Sequence, residues 1–200
     1  MLLLITGASG VGKSTVRRLI EADLPPTVDA VELHHVVGPE PVPTLAWRQR
    51  STELVVGRAL ELQAQGRDLL LAGDPVAAGE VFAAPSAAEL DGIAVCLLDL
   101  EPDAQAARLS ARGDDPSLFV HHIAFADWMR AHARDAGHMP QVLQTGGWDE
   151  MRWDRLRNSD GWAMRVLDTS ALTPQAAARE VLNWCRDALA GRAPVMHPPS

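Results

Sequence analysis

Lysine is almost missing from this chain. Of its 18 basic residues one is a lysine, Lys13, and the other 17 are arginines; tyrosine does not occur at all. Any chemistry that needs a lysine must therefore use Lys13. A guanine-recognition loop of the N-K-x-D type is excluded, because no second lysine follows. A Schiff-base enzyme with a separate phosphate-binding lysine is excluded too. The arginine bias itself fits a GC-rich genome. Cysteine is scarce: Cys96 and Cys185 stand far apart and form no C-x-x-C pair. That usage predicts a reduced, cytoplasmic chain with two structural thiols. An excess of basic charge is lacking as well. A net charge of −8 argues against a general binder of nucleic acid polymers, which needs a basic face. It leaves open the binding of a single nucleotide, for which a few local donors suffice. Long apolar runs are absent. The run at residues 2–5 ends at Thr6 and Gly7, and nothing approaches the roughly eighteen residues of a membrane span, so neither a signal peptide nor a membrane partner is expected.

What is present is ordinary in amount and informative in order. The chain has 200 residues, 47% hydrophobic and 22% charged, enough for one domain with a real core. Short apolar runs without alternation predict buried strands at residues 1–6, 27–36, 68–72, 92–100 and 163–167. Helical patterns follow them. The helix from Thr44 to about Gln65 is capped by Thr44 and stopped by Gly66, with Leu54, Val55, Ala59 and Leu62 on one stripe. Pro102 and Pro174 each open a further helix. The prolines at 39, 41 and 43 continue no regular element. Strands each followed by a helix predict a parallel sheet covered on both faces. The stretch 113–161 is too long for a simple crossover and predicts an inserted lid. Residues 193–200, with three prolines, are expected to fray.

One motif stands out. Gly7, Ala8, Ser9, Gly10, Val11, Gly12, Lys13 and Ser14, followed by Thr15, fit G-x-x-x-x-G-K-[ST] between an apolar strand and a helix. The glycines let successive N–H groups turn inward as an anion cradle. The helix N-terminus adds partial positive charge. Lys13 is suited to the β- and γ-phosphates, and the Ser14 hydroxyl to Mg²⁺. A random match of this kind in a chain of this size has a chance of roughly 1%.

With these elements in this order, the chain resembles the small P-loop kinases, the group of gluconate, shikimate and adenylate kinases and the chloramphenicol phosphotransferases. Three stretches carry the resemblance: G-A-S-G-V-G-K-S-T at 7–15, R-L-S-A-R-G-D-D at 108–115, and V-L-D-T-S-A-L-T-P at 166–174. It implies that the second stretch opens a lid whose arginines, Arg112 above all and Arg108 one turn before it, touch ATP phosphates. It implies that the third lies beside the adenine. Such kinases often carry an aspartate just after the second strand, where it takes the acceptor hydroxyl's proton. In this chain that strand is expected to end at His34 and His35, with Asp29 and Glu32 as the nearby acids. His35 is a candidate base. Asp74, at the end of the third strand, suits either a Mg²⁺ contact or a base. Trp47, Arg48, Gln49 and Arg50 lie where these kinases bind the acceptor. The tryptophans and arginines of 148–162 fit either an acceptor wall or packing, and the histidines at 121, 122, 132 and 138 do not have zinc-site spacing.

The expectation is thus an α/β P-loop fold: a three-layer sandwich with a five-stranded parallel sheet in the order 2-3-1-4-5, one domain over 1–192 with a helical lid at about 113–161, and a flexible tail. The expected activity is transfer of a phosphoryl group from ATP·Mg²⁺ to a small-molecule hydroxyl or phosphate, by a monomer or homodimer. Catalytic roles fall to Lys13, Arg112, Asp74 and His35, and metal contacts to Ser14 and Asp74. A nucleotide-binding regulatory module and a slow ATPase are the alternatives.

Overall fold

Two apolar faces on each central strand determine how this chain closes. In the computed structural model, which describes residues 1–38, 44–74, 76–158 and 161–200, β1 (Leu2–Thr6) is buried along its whole length. It lies between β3 (Asp68–Leu71) and β4 (Ile93–Asp99), parallel to both, with Leu2 beside Leu69 on one side and Ile93 on the other. β2 (Val28–Val31) and β5 (Arg165–Asp168) are the edges, so the order is β2-β3-β1-β4-β5. Side chains alternate across the sheet. Leu3 and Ile5 join one core with Val16 of α1 (Lys13–Ile20) and Val181 of α8 (Pro174–Leu189). Leu2 and Leu4 join the other with Val55 of α3 (Leu45–Gln63) and Val81 of α4 (Ala78–Phe82). Cys96 and Cys185 are free, buried thiols in the first of these cores.

Several boundaries differ from the sequence expectation. The second strand ends at Val31, not near residue 36, and Leu33–Val37 forms a short helix, α2. Side-chain acceptors take the amides that a strand would have paired: Asp74 Oδ2 accepts from Leu33 N–H at 2.9 Å, and His35 Nδ1 accepts from Glu32 N–H at 3.3 Å. In α3, Thr44 caps as expected, its Oγ1 accepting from Trp47 N–H. Leu54 is 59% exposed, because the buried stripe centres on Thr52, Val55, Val56, Ala59 and Leu62 and Leu54 points away from it. The proline-rich expectation at 39–43 lies outside the described residues.

The stretch 113–161 follows α5 (Pro102–Arg112) and contains α6 (Phe119–His132), the single turn α7 (Gln141–Gln144) and a 3₁₀ segment at Trp153–Asn158. It is tied down on α3 and α4. The fully buried Gln49 donates to Leu143 O at 2.7 Å and accepts from Trp148 N–H at 2.6 Å. His132 Nε2 accepts from Gly79 N–H at 3.1 Å, and Arg155 donates to the carbonyls of Ala84 and Pro85. Trp162 meets both Phe82 and His132 edge-on, which makes it core packing. The tail, expected to fray, is held at Met196, which exchanges two backbone hydrogen bonds with Ile93 and is buried. No helix among the described residues is long and apolar enough to cross a membrane.

Candidate nucleotide site

The glycine-rich loop between β1 and α1 is built by close approach. Gly7 has φ +144°, and a Cβ there would stand 2.4 Å from the Leu98 carbonyl oxygen, so no other residue fits without moving β4. Gly12, the N-cap of α1, has φ +103°, a left-handed conformation that costs glycine little. Val11 between them is buried in the core and anchors the loop.

Lys13 is 5% exposed and curls back over the loop. Its Nζ donates to Gly7 O at 2.7 Å and Ala8 O at 2.8 Å. Burial lowers its pKa to about 8; the nearby carboxylates of Asp74 and Glu32 oppose this, while Arg112 adds to it. In front of the loop lies a cavity of about 220 Å³, lined by Ser9, Gly10, Gly12, Lys13, Ser14 and Thr15, with Gly73, Arg108 and Arg112 completing its wall.

Both arginines of α5 reach this cavity by different means. Arg108 donates to Val11 O at 3.3 Å and Thr169 O at 3.0 Å, which bridges the loop to the turn after β5. Arg112 is more exposed and forks onto the carboxylate of Asp114, its Nε donating to Oδ1 at 2.6 Å. That pairing raises the pKa of Arg112 and lowers that of Asp114. A second cavity of about 260 Å³ adjoins the first. It shares Gly10, Gly12, Thr15 and Arg108 with it and is otherwise walled by Val11, Val16, Thr169, Leu172, Pro174 and Ala177.

The loop, Arg108 and Arg112, all expected from the sequence, line one cavity; Asp74 lines neither cavity, its Oδ2 accepting from Leu33 N–H at 2.9 Å, though its charge is felt at Lys13. His35 is not among the residues lining either cavity; its Nδ1 is used at the start of α2. The acid that directly follows β2 is Glu32, whose side chain is 12% exposed and accepts from Arg17 Nε at 3.1 Å. Its carboxylate lies so close to Gly73 that a Cβ there would meet it at 2.6 Å. Arg17 also pairs with Glu21, one turn further along. Glu32, named in the sequence as a nearby acid but placed inside a strand expected over 27–36, falls just past the actual end of β2. Gln105 gave no sequence signal. It is fully buried and donates from Nε2 to Ser9 O at 2.9 Å, holding the loop to α5, while its Oε1 has no partner among the described residues. Arg48 and Gln49, expected near an acceptor, are used internally: Arg48 pairs with the fully buried Glu80 at 2.9 Å, and Gln49 anchors the insertion. Among the described residues no group of three or more His, Cys, Asp or Glu side chains could hold a metal ion.

Neither the family models nor the curated proteins searched match this sequence. Solved structures do. A sugar kinase from Janibacter sp. HTCC2649, in unliganded form, aligns at 15% identity over 94% of this chain and 96% of its own, with a TM-score of 0.61. The APS kinase of Mycobacterium tuberculosis, in complex with AMPPNP and APS, aligns at 18% identity over 92% and 96%, with a TM-score of 0.53. A shikimate kinase from Acinetobacter baumannii, in complex with shikimate, aligns at 16% identity over 94% and 93%, with a TM-score of 0.50. With the same strand order, the same full-length coverage and a glycine-rich loop after β1, this chain has the P-loop kinase fold.

Proposed function

We propose that the chain is a phosphotransferase that moves the γ-phosphoryl group of ATP to a small molecule carrying a hydroxyl or phosphate. The observation that carries this reading is one arrangement: a buried Lys13 in a glycine-rich cradle, two arginines lining the cavity in front of it, and the carboxylate of Glu32 packed against Gly73 of the same wall, with Asp74 the next residue along. A cradle with a lysine suits phosphates, and arginines suit charge that grows on the transferring group. Carboxylates beside them suit an acceptor that must lose a proton. The kinase structures with AMPPNP and APS, and with shikimate, share this fold, which supports a nucleotide and a small acceptor here.

In this reading Lys13 leaves the carbonyls of Gly7 and Ala8 for the β- and γ-phosphates. Arg112 leaves Asp114 and closes over the transferring group, while Arg108 stays as a bridge beside the nucleoside. Glu32, held by Arg17, receives the acceptor's proton. His35 keeps its place at the start of α2 rather than acting as the base. Ser14 and Asp74 would hold Mg²⁺: a hydroxyl and a carboxylate suit an ion that keeps several waters and takes few protein ligands. Mg²⁺ when bound neutralises negative charge on the phosphates.

Incubation with ATP·Mg²⁺ and a panel of sugars, hydroxy acids, nucleosides and nucleotides, following ADP, tests the reading. One acceptor class is expected to stimulate ADP formation at least about tenfold, and Lys13→Ala to reduce it by roughly 100-fold or more while the circular dichroism stays native. Full turnover by that variant sinks the proposal. ADP release that no acceptor changes favours a slow ATPase instead, and tight binding without turnover favours a regulatory module.

A further inference from the structure

We infer that Gln105 is a positioning residue of the nucleotide site: its one buried amide sets the Ser9–Gly10 peptide for phosphate and ties that setting to the first turn of α6. The inference rests on the nucleotide reading above and adds how the phosphate loop is held and which element senses its occupancy.

Gln105 lies within α5 and is fully buried. Its Nε2 carries two hydrogens, and both are used. Nε2 donates to Ser9 O of the loop at 2.9 Å and to His122 O of α6 at 3.3 Å. These two acceptors fix which way the amide faces, since the reverse would press Oε1 against two carbonyl oxygens. Oε1 is left buried with no partner among the described residues. An apolar side chain of the same size would avoid the cost of that unsatisfied oxygen. The two donations are therefore what a glutamine adds at this position.

Their consequence for the loop follows from peptide planarity. The C=O and N–H of a trans peptide point in opposite directions. With the Ser9 carbonyl held on Gln105, the Gly10 N–H is turned the other way, and Ser9 and Gly10 both line the phosphate cavity. Gly10 has φ +86° and no side chain to hold that plane, so α5 holds it instead. The helix is close enough to do so: a Cβ on Gly10 would stand 3.2 Å from Leu109 Cδ2. Arg108, one turn along α5, repeats the device at Val11 O, which turns the Gly12 N–H. The two holds lead to different places. Arg108 continues to the turn after β5, and Gln105 continues to the insertion. A phosphate that accepts from the Gly10 N–H polarises the peptide whose carbonyl Gln105 holds, and so strengthens that hold. The start of α6 is steadied through the same amide, and by linkage a steadied α6 favours the phosphate.

Hydrogen exchange of the full chain with and without saturating ADP·Mg²⁺, together with calorimetric titration by ADP, tests this. In the wild type ADP is expected to slow exchange over residues 8–14 and, by about fivefold or more, over residues 119–126. Gln105→Met keeps the size and removes both donations and the unsatisfied oxygen. It is expected to keep a native circular dichroism spectrum and to bind ADP about tenfold more weakly. At saturation it is expected to protect 8–14 while 119–126 no longer respond. That last readout separates positioning from packing, because saturating ADP compensates for a weakened site. Wild-type affinity in the variant, or an unchanged response of 119–126, overturns the inference. So does a wild type in which ADP protects 8–14 and leaves 119–126 unaltered, a result that decides the matter even if the variant fails to fold. A wild-type chain that binds no ADP up to millimolar concentration overturns the nucleotide reading itself, and this inference with it.

Discussion

Lys13 and His132 are both buried bases whose pKa burial lowers, so each contributes stability that rises with pH, over different windows. Lys13 has a pKa of about 8, lowered by burial from 10.5. Between those values the unfolded chain binds a proton that the folded chain does not, so this group's contribution to stability rises with pH over that window. Anion binding runs the other way, since it needs the charged form. The affinity for ADP is expected to fall as pH rises through about 8, and binding near that pH to take up a proton. Calorimetry in buffers of different ionisation enthalpy measures this, and the uptake should vanish in Lys13→Ala. His132 has a pKa of about 4, again lowered by burial, which keeps it neutral to accept the Gly79 amide. The unfolded chain protonates first as pH falls below 6.5, so stability is lost from about 6.5 down to about 4. At pH 5 that loss reaches up to about 2 kcal/mol. Urea denaturation of the wild type and His132→Gln at pH 7 and 5 is expected to show a smaller pH effect in the variant. The two thiols are inert by the same physics: burial pushes Cys185 up to about 12 and Cys96 higher still. Lys13 was legible in the sequence because its motif is local. His132 was not, because the partner that defines it, Gly79, is distant in the chain and supplies only a backbone amide.

Elements show where local pattern runs out. The helices capped by Thr44 and Thr173 begin where the sequence places them, because a cap acts on amides only three residues away. The end of β2 is ambiguous in the sequence because the apolar residues Leu33, Val36 and Val37 suit a strand as well as a helix. Asp74, from the next strand's end, tips that choice by taking the Leu33 amide. This shift of boundary is what makes Glu32, rather than a histidine, the first titratable side chain after the strand. The insertion was legible as an extra piece and not as a docked one. Its seat depends on Gln49, a polar residue inside a helix that periodicity treats as noise. Gln49→Ala removes the partners of the Leu143 carbonyl and the Trp148 amide and is expected to cost about 2 kcal/mol or more. Hydrogen exchange should rise selectively over residues 139–158 while β1 and β4 stay protected; uniform exchange across the chain counts against this anchoring. Gly79→Ala tests the same seam from α4, since a Cβ would stand 2.8 Å from His132 Nε2.

For the whole molecule, the sheet closes against the tail as well as against the helices. Met196 buries its side chain and completes the start of β4 by pairing with Ile93. Removal of residues 194–200 is expected to cost about 2 kcal/mol, the scale of uncovering one large apolar side chain, read as a lower melting temperature with activity retained. The tail looked unstructured because three prolines dominate its composition, yet one residue between them has both backbone groups satisfied. The amino-acid sequence by itself determined the fold class, the sequence of strands and helices and the loop of residues 7–15, which depend on runs of apolar residues or on groups within a few positions of one another; the spatial order of the strands and the place of the α5 arginines came from the resemblance to small P-loop kinases. Only the tertiary structure decided which acid follows β2 beside Lys13, which arginines are already paired, and how the insertion and tail are seated. Those depend on contacts between residues dozens of positions apart, such as Leu33 with Asp74, Arg48 with Glu80 and Gln49 with Leu143. The same distinction holds within the site. The phosphate cradle is one local turn of chain, whereas the adjoining cavity is assembled from α1, α5 and the turn leading into α8 and exists only once those pieces meet.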